Sequence, residues 1–251
     1  LKHTDSLTPY LQTIPVESFG FRLSQEVAYG RENIEDRASK ICEALGFSPN
    51  NTHRQLSFKN DARELMQAVS KKPGNVLDGS YVVIHPFARW EYRAWDLSRF
   101  NALADRIVQS FGQDVVFVYS QDEAKRIEHY RILHERNTRI HFYSPASALE
   151  LAVVTKGASL FVGNDSGPLH LAAGLGVRVI GLFGPAEPDL TAPRSAKSEF
   201  LYKRVECSPC EQRVCVRRDD PCMGLISIDE VYDAVVHALS SETVGARVAQ
   251  V

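Results

Sequence analysis

From residue 80 onward the chain alternates between short apolar runs and longer amphipathic stretches. The runs Tyr81-Val82-Val83-Ile84, Val115 to Tyr119, Ile140-His141-Phe142, Ser159-Leu160-Phe161-Val162 and 178–183 have the length and side-chain types of buried strands. Asp96 to Phe111 reads as a helix with Asp96 as N-cap and Gly112 as C-cap. Asp122 to Arg136 reads as a second helix, and Ser144-Pro145 opens a third that ends near Gly157. Ser227-Ile228-Asp229-Glu230 is a capping box for a last helix, with Val231, Val235 and Leu239 on one face and a tail expected to fray from Thr243. Strands alternating with helices predict an α/β domain whose parallel sheet is covered on both faces.

Upstream of residue 80 the pattern is less regular. Residues 1–30 are rich in turn formers and carry no long periodic helix. Glu32 to Leu45 has helical spacing through Ile34, Ala38, Ile41 and Leu45 and stops at Gly46, with Cys42 placed as a structural thiol on the buried face. Asp61 to Val69 reads as a short helix and Lys71 to Asn75 as a loop. The chain thus divides into 1–75, a regular domain over 76–242 with a cysteine-rich loop at 205–224, and a tail over 243–251.

Composition narrows the function classes. A length of 251 residues with 44% hydrophobic and 24% charged residues is that of a soluble globular protein with ample core. A net charge of -2 argues against a dedicated nucleic-acid binder. No apolar run reaches membrane-spanning length and no signal peptide is visible, so a cytoplasmic location is expected. The first residue is Leu, not Met, which points to a processed or truncated chain.

The densest chemical signal runs from Val162 to Gly174. A buried strand stops at Gly163-Asn164-Asp165-Ser166-Gly167-Pro168, an Ala/Leu-rich helix follows, and a second apolar run ends in Gly184-Pro185. This is a parallel strand–helix–strand unit whose turn sits at a strand's carboxyl end and a helix's amino end. Unpaired N–H groups and the helix dipole there favour an anion such as phosphate. Ser166 adds a hydroxyl, Gly167 an unobstructed backbone, and Pro168 suits the first helical turn. Asp165 can accept from sugar hydroxyls but would repel a phosphate aimed at it, so the turn reads as a site for a phosphate attached to a sugar. Such turns also occur in proteins that bind nothing there. Neither GxGxxG nor GxxxxGK[ST] is present, which removes the main support for hydride-transfer or ATPase chemistry.

Asp165-Ser166-Gly167-Pro168-Leu169-His170-Leu171-Ala172-Ala173, followed by Phe183-Gly184-Pro185, resembles the signature of the heptosyltransferases, glycosyltransferase family 9. The resemblance implies a GT-B-type fold of two facing Rossmann-like domains, with a doubly wound parallel sheet in each. Residues from about 80 onward resemble the second, donor-binding domain. It also implies an inverting transfer of heptose from an ADP-sugar donor to the lipopolysaccharide inner core, needing no cofactor. Peripheral contact with the inner membrane is compatible with that acceptor. The first domain of the family opens with a Gly-rich loop carrying the Asp proposed as catalytic base; nothing like it occurs here. The resemblance thus implies that 1–75 is a remnant of that domain plus linker helices and that most of the domain is lacking with its base, so no catalytic residue is assigned.

A basic residue after the strand Tyr81–Ile84 would face the same sheet edge as the Asp165 turn. The family places a Lys or Arg two residues before a Trp at this point, against the donor phosphates, and Arg93 before Trp95 matches. Asp96 stands where the family usually has Pro. Arg89 is assigned to solvent. Trp90 and Trp95 could stack on a base or pack into the core. Glu123 resembles an acidic residue that bonds the donor ribose. His170 would touch phosphate or brace the turn, and Gly184 with Pro185 would form the far wall of the donor cleft. His85 and His141 read as interior or rim histidines.

Four of the five cysteines, Cys207, Cys210, Cys215 and Cys222, follow C-x2-C-x4-C-x6-C. Four thiolates would complete a tetrahedral structural zinc or iron site, with Arg204, Arg213, Arg217 and Arg218 offsetting their charge. A plain reduced loop and, less in keeping with a reducing cytoplasm, disulfides are the alternatives. A related branch of the family glycosylates adhesin proteins and carries a cysteine-bound iron, which leaves a protein or another glycan open as acceptor. A non-catalytic nucleotide-sugar-binding or assembly module, and a sugar-nucleotide epimerase of the same architecture, are the rival readings.

Overall fold

The computed structural model describes residues 80–210 and 214–248, with side chains described as far as Ser240. All of them belong to the second of two compact units, Thr52–Val251. The helices expected over 32–45 and 61–69, and Cys42, lie outside the described residues.

Six strands form one parallel sheet: β1 (Tyr81–His85), β2 (Asp114–Val118), β3 (Ile140–Tyr143), β4 (Leu160–Asn164), β5 (Val179–Phe183) and β6 (Ser198–Tyr202). Their order is β3-β2-β1-β4-β5-β6. The sheet grows outward in both directions from the β1–β4 pair, in which Val82 lies opposite Leu160 and His85 opposite Gly163. The helices are α1 (Leu97–Phe111), α2 (Ala124–Leu133), α3 (Ala148–Lys156), α4 (Gly167–Gly174), the single turn α5 (Pro188–Thr191) and α6 (Ile228–Val248).

Successive strand residues point to opposite faces, and here both faces are buried, which is why the strands read as unbroken apolar runs. Val82 and Ile84 pack with Phe100, Leu103 and Ile107 of α1 and with Val231 and Val235 of α6. Tyr81 and Val83 pack on the other face with Val153 and Val154 of α3 and Leu169 and Ala172 of α4. Each fully buried Leu, Ile, Val or Phe contributes roughly 1.5–3 kcal/mol, so these two layers dominate the stability of the domain.

The caps are where the sequence places them. Asp96 accepts from the Ser98 N–H at 2.7 Å, and Gly112 adopts φ 61°, a left-handed conformation that glycine takes without strain. Several bounds differ. The helix opened by Ser144-Pro145 starts only at Ala148, because the Ser147 hydroxyl accepts from the Glu150 N–H at 3.1 Å. The segment from Asp122 begins as a 3-10 turn, Gln121–Glu123, and ends at Leu133, before Arg136. The last helix continues through Val248, beyond Thr243. Strand β6 carries no signal strong enough to have been read. Among the described residues it pairs only with β5, and it is half-buried, so Ser198 and Glu199 are tolerated within it.

Candidate functional site

The strand order reverses between β1 and β4, which opens a crevice at their carboxyl ends, the usual ligand position of doubly wound sheets. A cleft of about 500 Å³ lies there, lined by His85, Arg89 and Arg93 after β1, Tyr119 and Glu123 after β2, Leu151 of α3, and Asp165 to Pro168 after β4.

The turn after β4 is built from its backbone outward. The Asp165 N–H donates to the Leu182 carbonyl at 3.1 Å, so the residue is held at the end of the sheet and is only 4% exposed. Its carboxylate stands 3.4 Å from Arg93 Nη1 and 3.8 Å from His170 Nε2. Burying a carboxylate is costly unless cations stand beside it, and here Arg93 does. Ser166 is the N-cap of α4 but its side chain does not cap; its carbonyl accepts from the Leu169 N–H at 3.1 Å. Pro168 occupies the first turn. A Cβ added to Gly167 would meet no protein atom within 4 Å, so glycine here keeps the mouth of the helix end open. The turn thus offers a hydroxyl, an open backbone and a helix amino end to an anion.

His85 closes the floor of the cleft, its Nδ1 3.5 Å from Ser166 Oγ. Burial pushes its pKa down to about 4, against the opposing pull of Glu123 and of the Phe87 carbonyl, so the imidazole is neutral at ordinary pH. Glu123 lines the cleft while one of its oxygens closes a capping box, accepting from Ser120 N–H at 2.7 Å and Ser120 Oγ at 2.8 Å.

The loop after β1 carries the arginines. Arg93 ends a 3-10 turn, Glu91–Arg93. Trp95 is buried and donates its indole N–H to the Ile226 carbonyl at 2.9 Å, so it is a core residue and not a stacking surface. Trp90 is exposed, with the Arg89 guanidinium 5.5 Å from its ring centre. Arg89 is exposed to solvent, as expected of a loop charge, and also stands at the rim of the cleft. Its only sequence signal was a shared loop with Arg93, since a loop has no periodicity to tell inward from outward.

Gly184 and Pro185 follow β5, and neither they nor His170 are among the residues lining the cleft. A Cβ on Gly184 would come within 2.6 Å of Met223 Sδ and 2.8 Å of Cys222 Sγ. The Gly184 carbonyl accepts from Ser208 Oγ at 2.7 Å and the Pro185 carbonyl from the Cys210 N–H at 3.0 Å. These residues seat the cysteine-rich segment. His141 lies at β3, 3.6 Å from Asp114 and outside the cleft lining.

The expected zinc or iron site is not assembled among the described residues. No three of their His, Cys, Asp or Glu side chains stand where they could hold a metal ion, and Cys207, Cys210, Cys215 and Cys222 are free thiols. Cys222 is buried at the start of a 3-10 turn, Cys222–Leu225, against Gly184, whereas Cys210 is exposed on the loop. Burial pushes the Cys222 thiol pKa up, and Cys207, Cys210 and Cys215 stay near enough to raise it further. Among the described residues no helix is long and apolar enough to cross a membrane.

The sequence model of glycosyltransferase family 9 (heptosyltransferase) matches residues 15–219. Lipooligosaccharide heptosyltransferase 2 of Campylobacter jejuni subsp. jejuni serotype O:6 is 25% identical over 209 residues, 81% of this chain and 66% of that protein. Lipopolysaccharide heptosyltransferase 3 of Escherichia coli K12 is 29% identical over 157 residues, 62% of this chain and 45% of that protein. The chain therefore spans about half to two thirds of the length of these relatives. Among solved structures, the family 9 glycosyl transferase from Veillonella parvula superposes with a TM-score of 0.67 at 19% identity, covering 88% of this chain and 63% of the other. That likeness shows the fold.

Proposed function

The chain belongs to glycosyltransferase family 9, the heptosyltransferases, and we propose that its described residues form the donor side of an enzyme transferring heptose from an ADP-sugar to the lipopolysaccharide inner core. The observation that carries this reading is the meeting of Arg93, Asp165, Ser166 and Gly167 at one cleft on the switch point of the sheet.

In this reading the diphosphate lies over the amino end of α4, held by the Ser166 hydroxyl, the backbone at Gly167 and the Arg93 guanidinium, which can bond phosphate oxygens bidentately. Asp165 faces the sugar side, where its carboxylate accepts from hydroxyls, and His170, 3.8 Å from that carboxylate, braces the turn. Glu123 accepts from the donor ribose with the oxygen its capping box leaves over. Arg89 supplies a second cation to the same cleft. An acceptor oxygen attacks the anomeric carbon with inversion as the carbon–oxygen bond to the diphosphate breaks. ADP leaves with the electron pair, and the acceptor proton passes to a base outside the described residues. Arg93 and the helix end stabilise the charge that develops on the leaving group, so the reaction requires no divalent metal.

Charge-assisted hydrogen bonds are worth about 1.5–3 kcal/mol each, and about 1.4 kcal/mol is tenfold in affinity. Arg93→Ala is therefore expected to weaken ADP binding more than tenfold in calorimetry. Undiminished affinity would remove Arg93 from the site. Binding of ADP-heptose with no transfer to an inner-core acceptor would favour a binding module over an enzyme.

A further inference from the structure

We propose that Asn164 is a positioning residue that fixes the arginine-bearing loop over the cleft, an inference that rests on the donor-site reading above. Asn164 is the last residue of β4, fully buried at 0% exposure. Its two amide atoms reach the two ends of one loop: Nδ2 donates to the Pro86 carbonyl at 2.8 Å, and Oδ1 accepts from the Trp95 N–H at 2.9 Å. Between those ends lie Arg89 and Arg93.

The loop needs such a bracket. Its only regular structure is the single turn Glu91–Arg93, which buries none of its residues. Its anchors to the core are Phe87 and Trp95, which flank the exposed part. A carboxamide suits the task, because it carries both a donor group, its NH2, and an acceptor oxygen on a short stem, and the loop presents one carbonyl and one N–H. A carboxylate can match only the N–H, and an apolar residue neither.

The bracket sits beside the chemistry. Asn164 and Asp165 are consecutive, so one strand end sets both the Asp165 carboxylate and the loop that brings Arg93 to 3.4 Å from it. A shift of the loop relative to β4 would move the guanidinium away from any ligand over α4. Asn164 thus acts on the nucleotide through Arg93 without having to touch it.

A double-mutant cycle on the native protein, with ADP as the calorimetric probe, tests this. Asn164→Asp keeps the size and the acceptor but turns an oxygen toward the Pro86 carbonyl. It is expected to weaken ADP binding tenfold or more in the otherwise native protein, and less than threefold in an Arg93→Ala background. In transfer assays the donor KM rises and the acceptor KM holds. Equal losses in both backgrounds, or native affinity in a folded Asn164→Asp variant, would overturn the proposal. Should the aspartate variant not fold, Asn164→Ser, smaller and uncharged, is put through the same two-background comparison with the same expected and overturning outcomes. Failure of the unsubstituted protein to bind ADP would instead sink the donor-site reading and this inference with it.

Discussion

Arg93 Nη1 stands 3.4 Å from Asp165 Oδ2, an ion pair that falls short of a hydrogen bond, and that buried oxygen has no hydrogen-bond partner among the described residues. A buried carboxylate oxygen left in this condition is costly, and such groups concentrate at sites that a ligand completes. The pair holds positive and negative charge side by side at one strand end. That arrangement suits a ligand which is anionic at one part and rich in hydroxyls at another.

Two glycines separate binding from folding. A Cβ on Gly167 would project into space free of protein atoms, whereas one on Gly184 would collide with Met223 and Cys222. Gly167→Val is expected to weaken ADP binding by tenfold or more in the folded protein and to lower the melting temperature only by what a β-branched residue costs before Pro168 in a helical turn. Gly184→Ala is expected to cost about 1–3 kcal/mol of stability through overpacking, read in a urea melt, with ADP affinity retained in the folded fraction. A Gly167→Val protein that binds ADP normally would place the ligand elsewhere.

The burial of His85 makes stability depend on pH in a defined window. The folded imidazole takes a proton only near pH 4, while the unfolded chain takes it near 6.5. Stability from this group is full above about pH 6.5 and is lost as pH falls toward 4, by at most about 1.4 kcal/mol for each pH unit. His85→Gln should flatten this dependence between pH 7 and 5 in chemical denaturation. Equal slopes in the two proteins would mean that His85 is not held neutral.

The thiols should differ in reactivity. Cys210 is exposed, Cys207 and Cys215 are half-buried, and Cys222 is buried with a raised pKa. Only the thiolate reacts, so alkylation of the native protein followed by mass spectrometry should label Cys210 first and Cys222 only on unfolding. Protection of all four, lifted by a chelator, would show that they share a metal ion after all.

Much of this was legible in the residue order. Apolar runs of strand length and the caps at Asp96 and Gly112 determine an α/β domain, because a strand buried on both faces must be apolar throughout and helix ends need their orphan groups met. The Asp165-Ser166-Gly167-Pro168 turn was equally legible, since a strand end followed by a helix start has a local signature. Other features depended on partners distant in sequence. The half-buried edge strand β6 forms because β5 offers it a ladder. Gly184 is kept small by Met223 and Cys222. Asn164 turns inward to Pro86 and Trp95. Local propensity is written in neighbouring residues, but a loop side chain's direction and a buried amide's partners are set by contacts that exist only once the sheet has brought β1 and β4 together.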